Sequence, residues 1–218
     1  MRNWWKVVTV ILLIYTLIGG LLIEVPRQHI LYESIRNLYF HVPMWFSMIF
    51  LFFMSTVNSV KELSKNDLEA DTKAIELVNT GIVFGILGTI TGSIWAKYTW
   101  GAWWTNDVKL NGSAITMLIY MAYLVLRASL EDEQKRARIS AVYNIFAFVL
   151  LIVFIGILPR MTDSLHPGNG GNPGFNNYDL DNNMKLVFYP AVLAWILLGW
   201  WMYSLRLRKR KLQQDLSL

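Results

Sequence analysis

Apolar positions in this chain come in long unbroken blocks, separated by short stretches that carry nearly all the charge. A surface helix would show apolar residues every third or fourth position, and a half-buried strand would alternate them. Blocks of 18 or more are instead long enough to cross a hydrocarbon layer of about 30 Å. Six can be read, at about Trp5–Ile23, Leu38–Val60, Ile75–Trp95, Gly112–Leu130, Arg138–Leu158 and Leu186–Leu205. Inside a bilayer the backbone must satisfy its own hydrogen bonds, so runs of this length predict helices. The expected fold is an all-α integral membrane protein, with residues 1–218 forming one six-helix domain.

Composition supports that solvent. Charged residues are 16% of the chain and hydrophobic ones 55%, whereas soluble domains carry about 25% charged residues. Arg2 and Lys6 flank the first block, which resembles the start of a signal peptide. The block is longer than the usual apolar region of about 7–15 residues, and no A-x-A-like site follows Gly19-Gly20, so a retained helix is expected. With six spans, fourteen lysines and arginines fall on the side of the termini and six on the other. The positive-inside bias then predicts that both termini are cytoplasmic. The net charge of +5 is a product of that topology and of a basic C-terminal tail suited to anionic lipid. It does not indicate nucleic acid, because the basic residues border helix ends. The absence of cysteine excludes disulfides, thiolate metal sites and covalent haem attachment through this chain. No G-x-x-x-x-G-K-[ST] is present, so any energy coupling is expected from a partner and the chain is not read as an enzyme.

Candidate chemistry collects on the side predicted to face outward. The cytoplasmic connections, Lys61–Ala74 and Glu131–Ala137, read as solvated linkers. All three histidines, His29, His41 and His166, lie on the outer side. His41 sits in LYFHVPMWF at the start of the second span, with Pro43 in the tolerated first turn. An ionisable residue there is a functional candidate, although an interfacial histidine capping a carbonyl fits the local sequence equally. His166 lies in a Gly/Pro/Asn-rich stretch able to bend around a ligand, and an inert loop histidine is the alternative. His29 has no such surroundings and is assigned no role.

The second outer connection, read as a loop over about 95–111, is the densest feature. Trp95, Trp100, Trp103 and Trp104 are four of the ten tryptophans, and Tyr98 stands among them. Tryptophans gather at membrane interfaces generally, but a belt spreads over many helix ends. A cluster of this kind makes a rigid aromatic shelf for a flat ligand. Asp107 and Lys109 close the stretch with groups able to orient a ligand or each other. Two neutral imidazoles suit the axial positions of haem iron, and Arg36 and Lys109 suit its carboxylates. A quinone is the competing planar ligand.

At this point the sequence resembles a known family. TGSIWAKYTWGAWWTND is similar to the tryptophan-rich WWD signature of haem-handling proteins in cytochrome c biogenesis, and most of all to CcmC of the System I pathway. RNLYFHVPMW resembles that family's R-x-x-x-x-H-V-P block, and SLHPG its L-H-x-G block, in the same order. The resemblance covers essentially the whole chain. It implies that His41 and His166 are the axial ligands of transient haem b, and that Trp95, Trp100, Trp103, Trp104 and Asp107 contact it, with Arg36 and Lys109 as basic residues of the site. It further implies delivery to a membrane-anchored haem chaperone, and a complex with an ABC-type ATPase, a second membrane subunit and a small helper subunit. A bacterial inner membrane is the implied location.

Two departures stand out. Asn106 occupies the place of the family's third tryptophan, and MTDSLH lacks the aromatic pair expected before the histidine. The System II relative, CcsA-like, typically continues into Asp-Pro-Lys-Glu, whereas this chain has Asp107-Val108-Lys109-Leu110. Two other functions are weighed. A haem permease needs polar groups through several spans, and here Asn79, Thr89, Thr91, Thr116 and Asn144 are few and suited to helix pairing. Gly81, Gly85, Gly88 and Gly92 likewise read as a ridge for close packing. A b-type electron carrier buries its histidines within spans, and these lie at or beyond the boundary.

Overall fold

The computed structural model describes residues 3–26, 31–166 and 180–216. All regular structure among them is helical, and six helices are long and apolar enough to cross a membrane. They are α1 (Trp4–Leu22), α2 (His41–Lys65), α3 (Leu68–Trp100), α4 (Val108–Ala128), α5 (Glu133–Met161) and α6 (Asn182–Leu216). A 3₁₀ segment, Tyr32–Tyr39, leads into α2. Within α5 the residues Ile152–Ile157 adopt π-helical geometry before the last turn at Leu158–Met161. Six passes return the chain to the end of the bundle where it began.

Several helices run further than the apolar blocks. At about 1.5 Å per residue, the 33 residues of α3 and the 35 of α6 exceed the thickness of a bilayer core. Ion pairs carry the extra turns. Glu76, 7% exposed, accepts from Arg206 at 3.2 Å and Arg210 at 2.8 Å, and Glu69 accepts from Lys211 at 2.9 Å. The basic tail is therefore partly spent on α3, with Arg208 and Lys209 remaining exposed. Asp71 and Arg127 form a buried two-pronged pair, one bond of 2.6 Å. The connection expected to be a solvated linker over Lys61–Ala74 is instead almost wholly helix. It turns at Asn66, in the left-handed region at φ +51°, and restarts at Asp67, whose carboxylate caps α3 through the amides of Glu69 and Ala70.

The glycine ridge of α3 packs as expected. An added Cβ at Gly81 would lie 2.4 Å from Phe52, at Gly85 2.3 Å from Met117, at Gly88 2.9 Å from Trp45, and at Gly92 2.6 Å from His41. Small residues let membrane helices approach closely, and here they receive Phe52, Trp45 and His41 of α2 and Met117 of α4. Phe52 stacks on Tyr120 at 3.6 Å, which brings α4 into the same core. Asn144 of α5 donates to Ser55 and Ser59 of α2 at 2.7 and 2.8 Å. On the other flank, Pro190 lacks the N–H that would bond the Leu186 carbonyl. The Tyr15 hydroxyl of α1 donates to that carbonyl at 3.1 Å, so the proline helps pin α1 to α6.

Candidate functional site

The tryptophan-bearing end opposite the termini gathers the chemistry. Its frame is the last three turns of α3, the first turn of α4, the first turn of α2 and the segment after α5. The stretch expected to be a loop over 95–111 is half helix: α3 continues through Trp100 and stops at Gly101, whose φ of +79° is the left-handed C-cap that favours glycine. Trp95 and Trp100 are thus fixed on a helix, and only Trp103 and Trp104 lie in the short connection before α4.

His166 meets three of the expected site residues, Asp107, Trp100 and Trp95. Its Nδ1 donates to Asp107 Oδ1 at 3.2 Å. Its ring stands edge-on to Trp100 with centroids 4.7 Å apart, and Trp95 lies 6.3 Å away. Asp107, only 5% exposed, collects five donors among the described residues. The amides of Lys109 and Leu110 cap α4 on Oδ1 at 2.9 and 3.3 Å, while the Ser164 hydroxyl and the Leu165 amide bind Oδ2, each at 2.8 Å. Burial alone would raise the carboxyl, but the bonds from His166, Ser164 and Leu165 outweigh it and hold the group well below the usual carboxylate range. Asp107 therefore stays anionic, and the imidazole that donates to it carries its lone pair at Nε2.

His41 is oriented by a different group. Its Nδ1 lies 3.0 Å from Thr91 Oγ1. With the Thr91 hydroxyl hydrogen on the Leu87 carbonyl at 2.9 Å or the Gly88 carbonyl at 3.2 Å, Thr91 accepts from the Nδ1–H tautomer of His41. That again places the imidazole lone pair at Nε2. The ring rests on Gly92, where a methyl group would collide with it, and stands edge-on to Trp45 at 6.3 Å. Thr91 and Trp95 are one turn apart on α3, so a single helical face touches both histidines.

The other expected site residues are distributed unevenly. Trp103 and Trp104 are 58% and 41% exposed, and Trp104 Nε1 donates to Asn111 at 3.2 Å. The single expected shelf is therefore divided into a pair packed on His166 and a pair presented outward. Asn106, at the departure from the family pattern, accepts from Asn111 at 2.7 Å and so steadies the base of Trp104. Arg36 is committed elsewhere: its Nε bonds Glu33 at 2.6 Å, and Nη1 bonds the carbonyls of Gly20 and Ile23 at 3.0 and 2.6 Å. It closes the last turn of α1, a role its sequence neighbourhood does not reveal. His29 lies outside the described residues. Sequence reasoning took Thr91 and Gly92 for packing, and the structure places both against His41. Their spacing from Trp95 was the available signal.

The donor set suits a large flat ligand with a metal at its centre. Imidazoles, aromatic rings beside them and a cation in the same stretch are the side-chain types that haem binding uses. Trp95 Nε1 adds a buried donor without a partner among the described residues.

Comparison with known proteins follows the same line. The family model described as CcmC, heme exporter protein C, matches residues 1–217. The Heme exporter protein C of Haemophilus influenzae is 24% identical over 207 residues, covering 95% of this chain and 83% of that protein. Its counterpart in Bradyrhizobium diazoefficiens is 29% identical over 149 residues, or 68% of this chain and 56% of the relative. A Cytochrome c biogenesis protein CcsA from Prochlorococcus marinus is 35% identical over 109 residues, 48% of this chain. The chain spans about a third of the length of the CcsA proteins it matches, 34% and 32% in two of them.

Proposed function

The chain belongs to the CcmC, heme exporter protein C, family, and from that premise we propose that it captures haem at the outer face of the membrane and passes it on during c-type cytochrome biogenesis. The observation that carries this reading is the matched orientation of His41 and His166. Each spends its Nδ1 on an acceptor of the protein, at 3.0 and 3.2 Å, which leaves Nε2 as the coordinating atom on both rings. Haem b is the cargo, held between the two imidazoles without a covalent bond. Trp95 and Trp100 support the ring of His166, while Trp103 and Trp104 supply exposed aromatic surface to the porphyrin or to the protein that receives it. Lys109 serves a propionate. Arg36, tied to the end of α1, acts by holding the segment that leads into His41.

Both termini are cytoplasmic in this reading, in a bacterial inner membrane, with the site exposed on the far side. A membrane-anchored chaperone takes the haem, and an ABC-type ATPase with a second membrane subunit and a small helper supplies the coupling this chain lacks. Haem conduction through the bundle is disfavoured because the clearest polar groups of the spans serve packing: Thr89 and Thr116 bond carbonyls of their own helices, and the Asn144 Nδ2 bonds two serines.

Washing of haem-loaded protein in detergent tests the role. A handler should lose a substantial fraction of its haem to a competing acceptor such as apomyoglobin. Stoichiometric retention would mark a permanent b-type carrier and contradict the proposal.

A further inference from the structure

The two histidines are held by acceptors of unlike charge. His166 donates to a carboxylate that is 5% exposed and fixed by five donors. His41 donates to a hydroxyl whose own hydrogen is already given to a backbone carbonyl, and the neutral Gly88 carbonyl is the other acceptor near its ring. A charge-assisted bond is about twice as strong as a neutral one. Donation to a carboxylate also pushes electron density into the imidazole and raises its strength as a ligand. The rings differ in mechanical support as well. His166 is gripped by Trp100 at 4.7 Å, with its backbone amide on Ser164 and its neighbour's amide on Asp107. His41 rests on Gly92 and one hydroxyl, with the edge of one tryptophan, Trp45, further off at 6.3 Å.

We infer that Asp107 and Thr91 are positioning residues that make the two axial bonds unequal, so that His41 releases the iron first and the haem is handed over from the His41 side while His166 still holds it. This inference rests on the reading of His41 and His166 as haem ligands. The step is a ligand exchange without change of oxidation state. The dative bond from His41 Nε2 to iron breaks with its electron pair returning to Nε2, and an incoming nitrogen donor supplies a pair to the vacated position. An acceptor approaching from that side meets the labile bond, while the stronger bond prevents loss of haem to water.

The order of release is directly measurable. Full-length protein in detergent is loaded with ferric haem and titrated with imidazole in deuterated buffer. Peptide mass spectrometry then reports which histidine first takes up deuterium at its ring C2 carbon, because that exchange is slowed while the ring is coordinated. In the wild type, His41 should be uncovered at a lower imidazole concentration than His166. Asp107→Asn keeps an oxygen for the α4 cap but loses the charge, and should bring the concentration that uncovers His166 down by about 10–100-fold. Thr91→Val should instead lower only the concentration that uncovers His41, widening the gap. Should Asp107→Asn fold poorly, the Thr91→Val arm and the wild-type order still decide the matter. Exchange at His166 first, at both together in the wild type, or an order unmoved by both substitutions would overturn the inference. Protein that never protects both histidines on adding haem would instead overturn the ligand assignment beneath it.

Discussion

The imidazole of His166 reaches across 59 positions of sequence to Asp107, and the two side chains meet at 3.2 Å. The same carboxylate caps α4, so one buried group joins the start of a membrane helix to the segment that bears the histidine. Asp107→Ala should therefore loosen both at once, at about 0.5–2 kcal/mol for the cap alone. Amide hydrogen exchange provides the check: peptides covering 107–110 and 164–166 should exchange faster together. Faster exchange confined to the α4 end would show that the His166 segment is held by other means.

Gly92 is the seat of the His41 ring. A Cβ there would stand 2.6 Å from Cε1, so Gly92→Ala should displace the imidazole and reduce haem capture in a protein that still folds. Gly156→Ala is the matched control, since among the described residues nothing lies nearer than 3.9 Å to its added methyl. Haem titration of the two variants should separate them, and equal affinities would mean that His41 has room to move.

The six spans were legible because long apolar blocks have no other stable solution in lipid. Their ends were not, because Glu76 finds Arg206 and Arg210 at separations of 130 and 134 residues, and a local window sees only charge that ought to stop a helix. The tryptophan stretch is half helix because Gly101 supplies the left-handed cap only after Trp100, and a density of aromatic residues does not itself mark a helix end. His41 and His166 stood out by motif and by chemistry. Their partners did not, since Thr91 looks like any packing threonine until α2 is laid beside it. Arg36 was expected to face a carboxylate for the same reason: nothing local shows the α1 carbonyls that claim it.

Removing one partner of the Asp71–Arg127 pair leaves a buried charge alone. Asp71→Ala should lower stability by about 3–5 kcal/mol, and Asp71→Ala with Arg127→Met should recover most of the loss. Thermal unfolding in detergent reads both. A single substitution without effect would mean that water already reaches the pair.

Tryptophan surface and histidine ligation should respond differently to added imidazole. His41→Ala or His166→Ala weakens haem capture, and imidazole replaces the missing ligand. Trp103→Ala with Trp104→Ala removes two rings, each able to bury roughly 150–250 Å², and imidazole cannot rebuild them. Equal rescue of both classes would show that these tryptophans only anchor the connection at the interface.

Topology is tested by reporter fusions after Leu110 and after Leu218. The fourteen-to-six asymmetry of basic residues predicts opposite sides of the membrane. The same side for both would remove the orientation on which delivery at the outer face depends.

The absorption spectrum of detergent-purified protein with added ferric haem tests the central claim most directly. Wild type and His29→Ala should both give the six-coordinate, low-spin spectrum of iron between two imidazoles, and His41→Ala and His166→Ala should each lose it. A spectrum abolished by His29→Ala and untouched by His166→Ala would contradict the account.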